Sequence, residues 1–313
     1  MIYLCADIQS FQKEISQNRV TVLKSLSCLP SYTLITPEHE SFPTMTSCDF
    51  VIFFLIRVYN HPSTISIEKM LEKLLKTDSN HKTVFFYIED FYNIPKINQF
   101  CQKYGVKNVI FSIRHEFYKK KLLSYDKSYN ISFFEHYFSL DMFPCFYTNP
   151  KKYDILFYGN SISYYYPLRD YLKKIFVPLK DEFRIKVIPL KSYERNESSV
   201  IQNNLYDEIS KAHITVACTS KFDFFVKKYQ EIPLSGSMIL GNIPTDYQDI
   251  LSSDDILYVD LCMDEKKIVE KVRSVLADPE KMQTKVKNVQ DRFKKLFSLS
   301  QADEHLQSIL KKV

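Results

Sequence analysis

The sequence predicts an α/β chain of two doubly wound domains in series, and three observations predict it. Short runs rich in β-branched and aromatic residues alternate with amphipathic stretches along the chain. The most apolar runs, Val51–Ile56 and Val84–Tyr87, show no polar alternation, as strands covered on both faces of a parallel sheet require. One unperiodic segment, Ser139–Tyr153, carrying Pro144, Asn149 and Pro150, interrupts the pattern, which then restarts. At 313 residues the chain is long for one core and suits two domains of about 150 residues each. The expected domains are residues 1–148 and 149–313, facing each other across a crevice.

In the first half, strands are expected at Ile2–Ala6, Tyr32–Thr36, Phe50–Ile56, Thr83–Ile88, Asn108–Ser112 and Ile131–Glu135, with helices at Ile65–Leu75 and Arg114–Leu123. In the second half, strands are expected at Asp154–Tyr158, Arg184–Ile188, Ile214–Ala217, Ser237–Leu240 and Ile256–Val259. Helices are expected there at Tyr166–Ile175, Leu205–Lys211, Phe224–Ile232, Glu265–Leu276 and Met282–Phe297. The terminal helices, ending near Leu310, are placed back across the linker. In such folds ligands bind where the carboxyl ends of the strands turn into helices.

The composition, 45% hydrophobic and 25% charged with both signs dispersed, is that of a soluble globular chain. The net charge of +5 suits a small anionic ligand, and no concentrated basic stripe speaks for nucleic acid. The seven cysteines are odd in number, form no CxxC pair and sit partly inside apolar runs, so reduced buried thiols are expected rather than disulfides or zinc ligands. The longest apolar run, Phe50–Ile56, is too short to span a bilayer. The first residues lack the charged and apolar regions of a signal peptide. A cytoplasmic protein without a membrane span is the expectation. Glycine is scarce: only Gly105, Gly159, Gly236 and Gly241. A chain so poor in glycine keeps it where a side chain cannot fit.

The most informative stretch is His213–Asn242, read as strand, loop, helix, turn and strand. Asp223 is expected at the start of the helix, with Lys228 and Glu231 further along and Gly236 closing it. An acid and a lysine at such positions also fit a plain solvated helix face. The pattern Asp223-x7-Glu231, with a basic residue three positions before the second acid and a glycine five after it, resembles the nucleotide-sugar segment of GT-B glycosyltransferases, group 1 and the CgeB-like spore-coat type. The strand and glycine loop Asp154–Asn160, the segment Phe138–Phe143 and the tail Lys266–Leu310 also resemble that family. The similarity covers residues 138–313 in motif and 1–137 only in architecture. One departure is Asp rather than Glu at 223, a side chain one methylene shorter.

The resemblance implies a GT-B fold of two Rossmann-like domains and transfer of a sugar from a nucleotide-sugar donor to a glycan, protein or small-molecule acceptor. It also implies retention at the transferred carbon and no metal or other cofactor. Gly159 and Asn160 would approach the diphosphate through their backbone. Lys228, with Arg169 and Lys221, would neutralise it in place of a metal. Glu231 would accept the ribose hydroxyls, Asp223 would orient the sugar, and Ser220 and Gly236 would complete the donor site. Two alternatives stay open: modified DNA as the acceptor, or a non-catalytic nucleotide- or glycan-binding protein of the same fold. A dehydrogenase is disfavoured because no G-x-G-x-x-G follows a first strand.

Weaker candidates lie in the first half. Glu89 and Asp90 end a strand and could hold an acceptor-side base, although Asp90 also reads as a helix cap. Arg114–Glu116 and the loop Arg57–His61, with Tyr59 and Asn60, occupy comparable positions. His213 precedes a strand and reads as structural, and Asp254–Asp255 opens one, the wrong end for binding a metal-linked diphosphate.

Overall fold

The computed structural model describes residues 1–9, 17–39, 49–56, 58, 62–77, 84–89, 93–143, 150–160, 162–188 and 205–313. Arg57, Tyr59–His61, Asp90, Cys48, Cys145, Pro144 and Asn149 fall outside the described residues. The chain forms two compact units, Met1–Ser139 with Phe297–Val313, and Leu140–Leu296. Each is a Rossmann-like α/β unit with an all-parallel sheet among its described strands.

The first unit contains β1 (Ile2–Cys5), β2 (Tyr32–Ile35), β3 (Phe50–Leu55), β4 (Val84–Ile88), β5 (Asn108–Phe111) and β6 (Asn130–Phe133), in the sheet order β2-β1-β3-β4-β5-β6. β1 and β4 are buried along their whole length, as their unbroken apolar runs predict, and β5 is buried too, with Asn108 Nδ2 donating to Val84 O (3.2 Å). The expected helices appear as Pro62–Thr77 and Glu116–Leu123.

Two further helices have no counterpart in the sequence reading. Gln17–Ser27 carries Val20-Thr21-Val22, a β-branched run that argues for a strand by local propensity. Ile94–Tyr104 opens on Asn93-Ile94-Pro95, which reads as a turn but serves as a helix start. The Asn93 side chain accepts from Lys96 N, Pro95 takes the first turn, and Gly105 closes the helix at φ 67°.

The C-terminal helix Leu299–Leu310 belongs to this first unit. Ala302, Leu306, Ile309 and Leu310 join its hydrophobic cluster beside Leu4, Phe54 and Tyr87. Phe138 N donates to Phe297 O (2.8 Å), Leu299 N to Phe138 O (3.0 Å) and Tyr32 Oη to Asp303 Oδ1 (2.6 Å). Each fully buried Leu or Ile contributes about 1.5–3 kcal/mol, so the apolar face outweighs these bonds.

The second unit contains β7 (Tyr153–Tyr158), β8 (Ile185–Ile188), β9 (Ala212–Val216), β10 (Met238–Gly241) and β11 (Leu257–Tyr258), ordered β11-β10-β9-β7-β8. Its helices include Pro167–Phe176, Lys228–Leu234, Glu265–Leu276 and Pro279–Phe297. The chain leaves β7 toward β8 on one side and then crosses to β9 on the other. That reversal opens a crevice at the carboxyl ends of β7 and β9, where doubly wound folds bind ligands.

At the opposite, amino edge, Lys151 ties the sheet together. Its Nζ donates to the carbonyls of Ser210 (2.7 Å), Ala212 (3.1 Å) and Gly236 (2.7 Å). Burial pushes its pKa down to about 8. Between that value and the ordinary lysine value of 10.5, the unfolded chain holds a proton that the folded one has released, so this group's contribution to stability rises with pH. Comparing urea unfolding of the wild type with Lys151→Met isolates the effect. The wild type gains relative to the variant from about pH 8 upward, by at most about 1.4 kcal/mol per pH unit. A constant difference across that range would contradict the assignment.

Candidate functional site

The site is built at the crevice between β7 and β9. β7 ends at Tyr158, and the next residue, Gly159, takes φ +82°. A Cβ there would lie 2.9 Å from Cε of Lys228 and 3.7 Å from Nη1 of Arg169, so a side chain at 159 would be strained by the left-handed backbone and would push the Lys228 tip aside. Two cations from separate helices therefore converge on one stretch of bare backbone. Asn160 is exposed; its Oδ1 accepts from Ile162 N (2.8 Å) and its carbonyl accepts from Arg169 Nη1.

Arg169 lies in the first turn of the helix Pro167–Phe176 and is only 2% exposed. Its guanidinium stacks over Tyr166, 4.2 Å from the ring centroid, while Nε and Nη2 have no hydrogen-bond partner. A cation in the first helical turn is opposed by the helix dipole, and each unpaired buried donor of a charged group costs about 1–3 kcal/mol or more. Lys228 opens the helix Lys228–Leu234. Its ammonium donates to Tyr158 O and sits 3.5 Å from the centroid of the Tyr158 ring. Burial, then the neighbouring Arg169 charge, pushes its pKa well below the ordinary lysine value. Cys218, fully buried nearby, has its thiol pushed up to about 12 by burial.

Glu231, 7% exposed, stands one turn beyond Lys228. Its Oε2 accepts from Tyr158 Oη (3.0 Å), its Oε1 from Tyr206 Oη (3.3 Å), and Lys227 Nζ lies 3.4 Å from Oε1. A carboxylate offers about four acceptor positions, so these contacts leave capacity for further donors.

Asp223 departs from its expected place. The helix expected at Phe224–Ile232 begins at Lys228, and Asp223 sits in the loop before it at φ 57°. A left-handed residue cannot continue a right-handed helix, and Asp is among the few side chains that adopt this conformation readily. Its Oδ2 accepts from Thr245 N (2.9 Å), pinning the loop after β9 to the loop after β10. Asn242 adds to this stitching by accepting from Thr219 N (3.0 Å) and donating to Thr219 Oγ1 (2.8 Å).

The other expected residues separate into two places. Ser220 is buried at the same carboxyl edge, where its Oγ accepts from Phe222 N (3.2 Å). Lys221 is exposed, with its ammonium 3.3 Å from the Tyr164 ring centroid. Gly236 lies at the amino edge. It closes the helix at φ 71°, and its carbonyl accepts from Lys151. The structure thus brings Gly159, Arg169, Lys228 and Glu231 together, with Asn160, Ser220 and Asp223 on the adjoining loops. Tyr158 and Tyr206 were missed in the sequence reading. For Tyr158, the available signal was its position before the glycine that ends β7.

In the first unit, Glu89 accepts from Tyr87 Oη (2.6 Å) and lies 3.8 Å from His136 Nε2, at the carboxyl ends of β4 and β6. Among the described residues no group of three or more His, Cys, Asp or Glu side chains could hold a metal ion, and no helix is long and apolar enough to cross a membrane.

Two doubly wound units, the second with a cation pair at its topological switch point, define a protein of the GT-B fold. No protein-family model matches the sequence, and no curated relative matches it. Solved structures share the architecture over its full length. Sucrose-phosphate synthase from Thermosynechococcus elongatus superposes with a TM-score of 0.55 at 11% identity, over 99% of this chain and 98% of that one. HepE from Anabaena, solved with UDP and glucose, gives 0.55 at 9% identity over 100% and 99%. A glycosyltransferase from Rickettsia africae ESF-5 gives 0.56 at 11% identity over 99% and 97%. At these identities the likeness is one of fold.

Proposed function

We propose that this protein is a nucleotide-sugar-dependent glycosyltransferase whose second unit binds the donor. The observation that carries this reading is the buried Arg169 guanidinium, with two unpaired nitrogens, beside the desolvated ammonium of Lys228 over the bare backbone of Gly159. Two like charges, both shielded from water, need an anion with several acceptor oxygens, and a diphosphate supplies one. Glu231 then receives the ribose hydroxyls, and the Asp223 loop lies toward the sugar. When the bond from the sugar's anomeric carbon to the diphosphate oxygen breaks, its electron pair stays on the diphosphate. Arg169 and Lys228 stabilise that growing charge.

The family resemblance adds retention and metal independence to the proposal. The first unit takes the acceptor, a glycan, protein or small molecule, with Glu89 as the candidate group there. The reduced thiols suit a cytoplasmic setting.

A thermal-shift panel of UDP-, GDP-, ADP- and dTDP-sugars, run without divalent metal, tests the reading. One donor raises the melting temperature, by the equivalent of about 2.7 kcal/mol at a hundredfold excess over Kd. UDP-glucose is tried first because HepE was solved with UDP and glucose. Glu231→Ala abolishes the shift. No response to any nucleotide would end the reading. Since the Asp223 carboxylate already holds Thr245 N, hydrolysis of the bound donor is the readout that separates an enzyme from a binding protein of the same fold.

A further inference from the structure

We infer that Tyr158 is the positioning residue that couples the diphosphate-facing and ribose-facing halves of the site, and this rests on the donor site proposed above. Three parts of this one residue do three jobs. Its carbonyl oxygen accepts from the Lys228 ammonium. Its ring lies beneath the same ammonium, at 3.5 Å. Its hydroxyl donates to Glu231 Oε2 at 3.0 Å.

Tyr158 is the last residue of β7 and 6% exposed, so strand pairing and packing fix its backbone. Lys228 and Glu231 lie one helical turn apart and would otherwise each choose among rotamers. The ring face and carbonyl dipole hold the ammonium beside Gly159 against the repulsion of Arg169. The hydroxyl, with Tyr206 Oη at 3.3 Å on the other oxygen, holds the carboxylate in one orientation and leaves acceptor positions free. Burial, then the Glu231 charge, pushes the Tyr158 hydroxyl pKa well up, which keeps it a donor throughout the working range. The cation and the acid are thereby held in place by one residue, the cation for a diphosphate and the acid for the ribose joined to it.

Tyr158→Phe separates the roles, because it keeps the ring and carbonyl at Lys228 and deletes only the bond to Glu231. Calorimetric titration with UDP and with inorganic pyrophosphate reads the outcome. UDP affinity falls about tenfold while pyrophosphate affinity is unchanged. A folded Tyr158→Phe that binds UDP like the wild type overturns the inference, as does an equal loss for both ligands. Should the Phe variant fail to fold, 3-fluorotyrosine at position 158 keeps every contact and strengthens the donor. An unchanged ratio of UDP to pyrophosphate affinity would then overturn it. A wild type that binds no nucleoside diphosphate at all is a different result and defeats the donor-site proposal itself.

Discussion

Arg169→Met is expected to cut the nucleotide-dependent rise in melting temperature by half or more and, at the same time, to raise the melting temperature of the free protein. The free protein holds this guanidinium 2% exposed, with two nitrogens unpaired and a second cation nearby. A thioether of similar length fills the space without charge or orphaned donors. Removing the two orphaned donors, at about 1–3 kcal/mol each, contributes about 2–6 kcal/mol of stability. Against this stand the lost bond to Asn160 O and the stacking on Tyr166, worth about 1 kcal/mol each. Ligand binding loses charge-assisted hydrogen bonds worth about 1.5–3 kcal/mol, a tenfold to hundredfold drop in affinity. Differential scanning calorimetry with and without the stabilising donor measures both effects on one sample. A variant that is less stable yet responds to nucleotide as fully as the wild type would make Arg169 a structural residue and remove the main support for the donor site.

Gly241→Ala is expected to have the largest effect on folding. A Cβ at this position would overlap the carbonyl oxygen of Ala217 and lie 2.8 Å from its carbonyl carbon. The obstacle is backbone on the neighbouring strand and cannot swing aside. The carboxyl ends of β9 and β10 must part, which breaks the 3.1 Å bond from Ala217 N to Leu240 O. Overpacking of this kind costs about 3 kcal/mol, and a unit of this size loses about 2–4 °C of melting temperature per kcal/mol. The same displacement moves the loop that carries Ser220 and Asp223, so nucleotide binding falls together with stability. Thermal unfolding of the variant at wild-type temperature would show that the two strands can separate at no cost.

Much of the second unit was legible in the sequence because its signals are local. Apolar runs mark β7, β9 and β10, and the observed strands lie within two residues of the expected ends. Lys228 and Glu231 share one short helix, which Gly236 follows, so their spacing alone put the two on adjacent turns. The start of that helix was misjudged because Phe224-Phe225-Val226 continues the apolar pattern. The left-handed Asp223 and its bond to Thr245 N are long-range decisions. The helix Gln17–Ser27 was overlooked for the opposite reason: its local propensity points to a strand, and burial of Val20, Val22, Leu23 and Leu26 overrides it.

The sequence by itself determined two parallel sheets in series, the position of the bare-backbone turn at Gly159, and an acid and a base one helical turn apart. Periodicity and the scarcity of glycine act over a few residues and suffice for that. Only the tertiary structure placed Arg169 beside Lys228, set Tyr158 against both Lys228 and Glu231, and returned Leu299–Leu310 to the first unit. Those pairings join segments far apart in the chain. Their energy comes from desolvated charge and buried apolar area, which exist only once the strands have assembled.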